Sequence, residues 1–513
     1  MHPTAWERLG HYLHETQLLG SIHSTLYWDQ NTQMPKRGSA WRGEQLSCMA
    51  RLLHTRQSNL EYESLITEAK EEYEITLDRG DLTEDQREER RINLMLLKQD
   101  LIRQKNLDPE LVAELSLAKS EGYDLWQEAK SKDNFKLFEP ALSKLIFLRQ
   151  EQSNQLSEPR SCWETLAQPF EPDITCKRIY ELFTPLRNIL PDLLENVRSI
   201  NKPRNSNWDF NEDTQEKLCS QLLSEWGRDE AITAISRSPH PFSTTLGPKD
   251  FRITTRIVPG QPLSSFLATA HEWGHSLYEQ GLKFQTHQCF SWPLGQATSM
   301  AVHESQSLFW ENRVARSLAF SDRFWPNFSK AGAPIKCGKD LWLQMNPLQP
   351  GLNRVEADEL SYGLHILIRT DLEIALLENG LPVKDLPYEW NMRYKNLLGI
   401  EPLTDTEGCL QDVHWSEGMF GYFPSYLLGH LISAQFSEAM AKDLSPSDQD
   451  PISDYIRSGK EFLLLKWLRQ NVHSEGRRMN AELLVEKVSG FKLSSTPFIT
   501  YLKKKLQMLV SSS

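Results

Sequence analysis

Residues 5–155 carry helix-forming sequence almost throughout, and this stretch constrains the fold more than any other feature. Leucine and isoleucine recur at helical spacing through residues 18–26. Residues 61–105 are rich in Glu, Arg, Leu and Lys, which favour helix, and Asp108-Pro109 is typical of a helix start. Neither an internal repeat nor a low-complexity linker interrupts the chain. We therefore predict one mainly α body over residues 1–513, with residues 1–155 as an N-terminal helical region.

The most informative short motif is HEWGH at residues 271–275. On a helix, His271 and His275 share a face, and two imidazoles one turn apart can bind one zinc at about 2.0–2.1 Å. Glu272 follows the first histidine and can reach a water on the metal without binding the metal itself. The alternative is a pair of surface histidines on an amphipathic helix. We place the start of this helix at Ser264 or Ser265 as N-cap and its end near Gly281.

A catalytic zinc usually takes a third protein ligand, and the spacing narrows the choice. Tyr278 and Gly281 occupy the positions where a metzincin has Gly and His, which excludes that class. Glu279 lies a further turn along the helix, roughly 6 Å away, and cannot easily converge with both histidines. The remaining source is a carboxylate from a second, neighbouring helix.

That second helix is predicted over residues 296–318, and Glu304 within it is the favoured third ligand. Glu311 is the runner-up, because a residue seven positions on shares roughly the same face. His303 is interpreted as an outer partner or a packing residue. Gly274 weakens the metal helix by about 1 kcal/mol relative to Ala, which is reasonable if a neighbouring backbone packs closely there.

Residues 250–258, DFRITTRIV, form the clearest strand pattern and end at Pro259-Gly260. Phe251, Ile253 and Thr255 fall on one face of this strand. A strand just before the metal helix could pair with an extended peptide, or it could be part of a small structural hairpin. In either case we expect a small β-sheet near the site.

Two further segments offer groups for substrate binding. Arg354 lies at the start of a helical run, where its guanidinium and the helix dipole favour a carboxylate; the alternative is an ion pair with Glu356 or Asp358. Arg252 on the strand is a weaker candidate for the same role.

Residues 408–426 are dense in polar and aromatic side chains. Hydrogen bonds from His414, Tyr422 or Tyr426 could stabilise an oxyanion. The alternative is a satisfied polar core.

Charge and cysteine usage limit the class of protein. The formal net charge of -12 argues against a nucleic-acid partner. No apolar run reaches the roughly 18 residues of a membrane span, and the first residues lack the pattern of a signal peptide. The seven cysteines are scattered, without C-x-x-C spacing, which favours reduced thiols and a cytoplasmic location.

Taken together, the motifs resemble the carboxypeptidase Taq family of metallocarboxypeptidases over the whole length. The matching segments are WDQNTQMP (28–35), DFRIT (250–254), HEWGH (271–275), HESQ (303–306) and GCLQDVHW (408–415), most of them within residues 250–430. The family's I-R-x-x-A-D motif falls on residues 353–358, with Asn353 in place of Ile. We expect Asn353 to act as a helix N-cap instead.

The resemblance implies a large multi-helix peptidase fold with a deep central groove, flanked by residues 1–155, that assembles as a homodimer. It also implies His271, His275 and Glu304 as metal ligands, Glu272 as general base and acid, and release of single residues from peptide C-termini. Two imidazoles and a carboxylate suit zinc, which we expect, but cobalt also fits. An oligo-endopeptidase and a non-catalytic helical scaffold are the competing interpretations.

Overall fold

A computed structural model describes residues 2–198, 208–282, 290–348, 350–445 and 450–512. Within these ranges the chain forms twenty α-helices and one small sheet, which confirms the mainly α fold. The first ten helices are α1 (Ala5–Thr32), α2 (Ser39–Ser58), α3 (Leu60–Arg79), α4 (Glu84–Lys105), α5 (Pro109–Ser131), α6 (Glu139–Leu156), α7 (Cys162–Ala167), α8 (Cys176–Arg198), α9 (Glu212–Glu225) and α10 (Pro262–Gly281). The others are α11 (Met300–Leu308), α12 (Leu318–Lys330), α13 (Gly338–Met345), α14 (Glu359–Leu377), α15 (Leu386–Leu398), α16 (Phe423–Leu444), α17 (Pro451–Arg457), α18 (Glu461–Asn471), α19 (Ala481–Ser489) and α20 (Thr496–Ser512).

Side-chain caps define many of the helix starts in the N-terminal region. Thr4 and Glu7 form a capping box at the start of α1, in which each side chain accepts from the other residue's backbone N–H. Asp108 caps α5 and Pro109 occupies its first turn, as predicted. These caps satisfy backbone donors that a helix leaves unpaired at its N-terminus.

The start of α10 differs from the prediction. The helix begins at Pro262, its N-cap residue is Gln261, and neither Ser264 nor Ser265 caps it. Backbone N–H groups in the first turn of a helix have no partner within the helix, so the missing N–H of Pro262 costs nothing there. The helix can therefore begin at Pro262, ahead of Ser264, without a side-chain cap. The Ser265 hydroxyl instead donates to the side-chain oxygen of Gln215 at 2.6 Å.

The sheet comprises β1 (Thr233–Arg237), β2 (Ser243–Gly247) and β3 (Asp250–Thr255). Strand β3 lies in the middle, parallel to β1 and antiparallel to β2. The idea that this strand pairs with a peptide substrate is therefore wrong, because both of its edges are already hydrogen-bonded. Its predicted face is correct, since Phe251, Ile253 and Thr255 are buried.

Two apolar clusters hold most of the helices together. The main cluster includes Leu186 of α8, Trp273 of α10, Leu364 of α14 and Leu431 of α16. A second cluster joins α1, α3 and α4 to Trp292, whose indole stacks on that of Trp6 with ring centroids 4.1 Å apart. The N-terminal helices are thereby attached to the segment that leads into α11.

A cavity of about 780 Å³ lies between α1, α4 and residues 291–300. Its lining includes Met300, the first residue of α11. In the described ranges, no helix is both long and apolar enough to cross a bilayer.

Candidate active site

Helix α10 and helix α11 bring two histidines and a glutamate together. The Nε2 atoms of His271 and His275 lie 3.7 and 3.4 Å from Oε2 of Glu304. One ligating atom from each of these residues can be chosen so that all lie within 4.8 Å of one another. Nitrogen and carboxylate donors at such separations match the ligand set of a catalytic zinc site.

Two glycines permit the close packing behind this cluster. A Cβ on Gly274 of α10 would lie 2.6 Å from Cα of Ser307 on α11, which is the close-packed backbone expected from the sequence. A Cβ on Gly429 of α16 would lie 2.7 Å from Cγ of Glu304. Helix α11, which carries Glu304, is thus packed directly between α10 and α16.

Helix α11 does not continue to residue 318 as predicted. It passes at Phe309 into a π-helical segment, Phe309–Ala315, and α12 begins separately at Leu318. Such π-turns are rare and often occur at functional sites. Here the segment carries Glu311.

Glu311 lies on the other side of the His271 ring from Glu304. Its Oε2 is 2.9 Å from Nδ1 of His271, and its Oε1 accepts from Arg316 at 3.0 Å. Because Glu311 faces Nδ1 while Glu304 faces Nε2, the two glutamates contact different nitrogens of the same imidazole. A carboxylate on the outer nitrogen of a metal-binding histidine fixes the tautomer and the ring orientation.

The electrostatics of the cluster favour a cation. Burial opposes charge on His271, but Glu304, Glu311 and Glu272 outweigh it and raise the pKa of His271 to about 10. Burial is likewise overcome at Glu304, where His271 and His275 lower the carboxyl pKa to about 2. Burial lowers the pKa of His275 to about 4, so this imidazole is neutral at pH 7 and keeps a lone pair. An ionised Glu304 carboxylate beside imidazole nitrogens is a donor set that fits a divalent metal ion.

Glu272 follows His271 on α10, is 7% exposed and interacts electrostatically with His271 and Glu304. Burial raises the pKa of its carboxyl group to about 7, against the opposing effect of His271. A carboxyl group whose pKa lies near neutrality is suited to accept and return a proton.

His275 has a different outer neighbour from His271. Its Nδ1 is 2.6 Å from Nδ1 of His303, and Nε2 of His303 is 2.9 Å from Oε1 of Glu279. His303 therefore contacts the cluster from outside, through His275. Glu279 contacts His303 and is linked to His275 only through that ring.

Arg354 lies in a short 3₁₀ turn, Arg354–Glu356, that Asn353 caps through its side chain. The expected alternative, an ion pair with Glu356 or Asp358, is wrong. Asp358 accepts instead from backbone N–H groups at the start of α14, whereas Arg354 pairs with Asp412 at 2.9 Å.

Asp412 also pairs with Arg369 at 2.6 Å, and Arg354 donates to the Tyr362 hydroxyl at 3.3 Å. The side chains of Arg354, Arg369 and Asp412 are all largely buried. Two guanidinium groups against one carboxylate leave a net positive charge, which attracts an anion. Tyr362 and Arg369 were not predicted from the sequence, although the lone arginine in the apolar run HILIRT is a signal for a functional charge.

The other candidates lie beside Arg354. Nε2 of His414 is 3.2 Å from the Tyr426 hydroxyl, and the rings of Tyr422 and Tyr426 are 5.2 Å apart. Burial lowers the pKa of His414 to about 3 and raises that of Tyr426 to about 12. At neutral pH these groups are uncharged, and the tyrosine keeps its proton to donate.

A buried carboxylate holds the segment that contains these residues. Glu373 of α14 accepts from the indole N–H groups of Trp415 and Trp163 at 3.0 and 3.2 Å, and from the Gly421 N–H at 2.9 Å. The residues between His414 and Tyr422 are therefore fixed to the main core.

Arg252 has a separate environment. Its guanidinium forms two 2.8 Å contacts with Asp250 on the same strand and lies 5.7 Å from the Trp28 ring. Trp28 belongs to the N-terminal WDQNTQMP segment. The structure thus brings the first and second motifs of the chain together at the sheet.

A helical fold with a partly buried His, His and Glu cluster beside a protonatable glutamate defines the class of helical metallopeptidases. The family model for carboxypeptidase Taq (M32) metallopeptidases matches residues 8–506. The chain belongs to this family and is a metallocarboxypeptidase, a metal-dependent hydrolase of peptide bonds.

Named relatives match this chain over almost its full length. The chain is 34% identical to thermostable carboxypeptidase 1 of Thermus thermophilus, covering 98% of this chain and 99% of that protein. It is 33% identical to carboxypeptidase 1 of Bacillus subtilis, covering 98% and 97%. The solved M32 carboxypeptidase of Deinococcus radiodurans R1 superposes with a TM-score of 0.90 at 30% identity, covering 99% of this chain and all of that one.

Proposed function

We propose that the chain removes single residues from peptide C-termini with one zinc ion held by His271, His275 and Glu304. The convergence of their donor atoms, with both Nε2 atoms facing the same carboxylate oxygen, is the observation that carries this assignment. The donor set also accepts cobalt. When bound, the ion lowers the pKa of a water molecule and polarises the scissile carbonyl.

In this mechanism Glu272 moves the proton. Its carboxylate takes a proton from the attacking water and passes it to the leaving amine. Because Glu272 is buried and adjacent to His271 on α10, it lies at the cluster without belonging to the ligand set. The hydroxyls of Tyr422 and Tyr426 and the imidazole of His414 supply neutral donors for the developing oxyanion.

Arg354 binds the C-terminal carboxylate of the substrate. A guanidinium group has five N–H donors; contacts to Asp412 and Tyr362 in the described part of the chain use three of them. Donors on Nη1 and Nη2 remain for a substrate carboxylate, and the net charge of the Arg354, Arg369 and Asp412 group favours it. Arg252, paired with Asp250, is a weaker candidate for a second contact to the peptide.

Two peptides that differ only at the C-terminus test this function. We expect stepwise loss of single residues from the peptide with a free carboxylate, no loss from its C-terminally amidated twin, and no effect of N-terminal acetylation. Chelation should stop the reaction and added zinc should restore it. Internal cleavage of the amidated peptide would instead indicate an oligo-endopeptidase.

Replacing Arg354 by Lys should weaken catalysis through substrate binding. Lys keeps the charge but loses the planar fork, and a hydrogen bond to a charged group contributes about 1.5–3 kcal/mol. We therefore expect kcat/KM to fall by about one to two orders of magnitude, mostly through KM, with the metal content unchanged. An unchanged KM for free-carboxylate peptides would remove Arg354 from this role.

We also propose a cytoplasmic homodimer. Six cysteines in the described ranges are free thiols, which supports a reducing compartment, while the dimer rests on the family resemblance. Light scattering of the purified protein tests the dimer through its mass.

A further inference from the structure

The imidazole of His275 contacts the imidazole of His303, and His303 in turn contacts the carboxylate of Glu279. Nε2 of His275 faces Glu304, so its Nδ1 points away from the donor cluster. That Nδ1 is 2.6 Å from Nδ1 of His303, and the two rings are 4.6 Å apart at their centroids. Nε2 of His303 lies 2.9 Å from Oε1 of Glu279.

The hydrogen-bonding capacity of these groups assigns the tautomers of a singly protonated pair. A carboxylate only accepts, so Nε2–H of His303 donates to Glu279. Nδ1 of a singly protonated His303 then has a lone pair and accepts from Nδ1–H of His275. With its proton on Nδ1, His275 has a free lone pair on Nε2, the nitrogen that faces Glu304.

We propose that His303 is a positioning residue that accepts the Nδ1 proton of His275 and so presents the Nε2 lone pair of His275 to the metal. Glu279 sets the tautomer of His303. This inference rests on the proposed function, because it takes His275 as a metal ligand.

The two ligands therefore depend on chemically different outer partners. His271 faces the carboxylate of Glu311, whereas His275 faces the imidazole of His303. Glu279 also lies 3.4 Å from the hydroxyl of Thr245 on β2. The sheet beside the site is thereby linked to the orientation of the second ligand.

Two substitutions of His303 separate hydrogen bonding from packing. In His303→Asn, the amide oxygen can take the place of the ring Nδ1 and keep an acceptor for His275. In His303→Leu, the side chain has a comparable bulk but no acceptor. The readouts are the zinc dissociation constant from competition with a chelator and the visible absorption spectrum of the cobalt-substituted protein.

We expect His303→Leu to weaken zinc binding by about 10–100-fold, the usual effect of removing an outer partner, and to alter the cobalt spectrum. His303→Asn should stay close to wild type in both. Equal losses in the two variants would mean that His303 acts only by packing, and an unchanged affinity in His303→Leu would equally overturn the proposal. Should His303→Leu fail to fold, His303→Ala against His303→Asn makes the same comparison.

A His275→Ala variant shows whether a negative result concerns the ligand assignment itself or only the role of His303. If it binds zinc as tightly as wild type, the ligand assignment and this inference both fail. If it loses zinc while His303→Leu does not, the inference alone fails and the proposed function stands.

Discussion

Replacing Glu272 by Gln is expected to leave the metal in place and to remove most of the turnover. Gln has nearly the same size, so the packing around this buried position is retained, but an amide cannot take a proton from water. General acid–base catalysis contributes about 10²–10⁴-fold, and we expect kcat to fall by that factor. The measurements are kcat on a C-terminally free peptide and the metal content of the same sample.

A matched control is Glu74→Gln, which makes the same change at an exposed position on α3. It should leave both kcat and metal content at the wild-type level. Near wild-type turnover in Glu272→Gln would show that another group accepts the proton. Loss of the metal in that variant would instead place Glu272 among the ligands.

The second large effect is expected for Gly274→Ala. The new Cβ would lie 2.6 Å from Cα of Ser307 and 2.8 Å from the carbonyl oxygen of Gln306, both backbone atoms of α11. Overpacking of this kind destabilises by about 1–3 kcal/mol. Since Glu304 lies on the same helix, separating α10 from α11 should also weaken metal binding.

Gly43→Ala in α2 is the control, because nothing lies within 4 Å of its added Cβ. Ala there should stabilise the protein by about 0.5–1 kcal/mol, through the better helix propensity alone. Denaturant unfolding and zinc affinity are measured on both variants. If Gly274→Ala were as stable as Gly43→Ala and bound zinc normally, the close helix contact would not matter to the site.

The local features of the site were predictable from sequence because they depend on short spacings. The shared face of His271 and His275 follows from one helical turn, and the need for close packing at Gly274 follows from its poor helix propensity. The helix start at Pro262 was not found, because Ser265 is used in a tertiary hydrogen bond to Gln215.

Contacts between residues far apart in the sequence could not be predicted from short spacings. Asp412 is distant in sequence from Arg354, and only the fold shows that it pairs there instead of Glu356 or Asp358. The π-helical segment that carries Glu311 breaks the period on which a face assignment depends. The helix predicted over residues 18–26 is present in α1, but its apolar side chains Leu18 and Ile22 are about half exposed. Helical periodicity predicts an apolar face and does not show whether another element covers that face.

The anomalous-scattering map of a crystal of the zinc-loaded protein tests the assignment of the metal ligands most directly. We predict one peak at about 2.0–2.2 Å from Nε2 of His271, Nε2 of His275 and a carboxylate oxygen of Glu304, with Glu311 still bonded to Nδ1 of His271. A peak coordinated by Glu311 in place of Glu304, or by Nδ1 of either histidine, would contradict it.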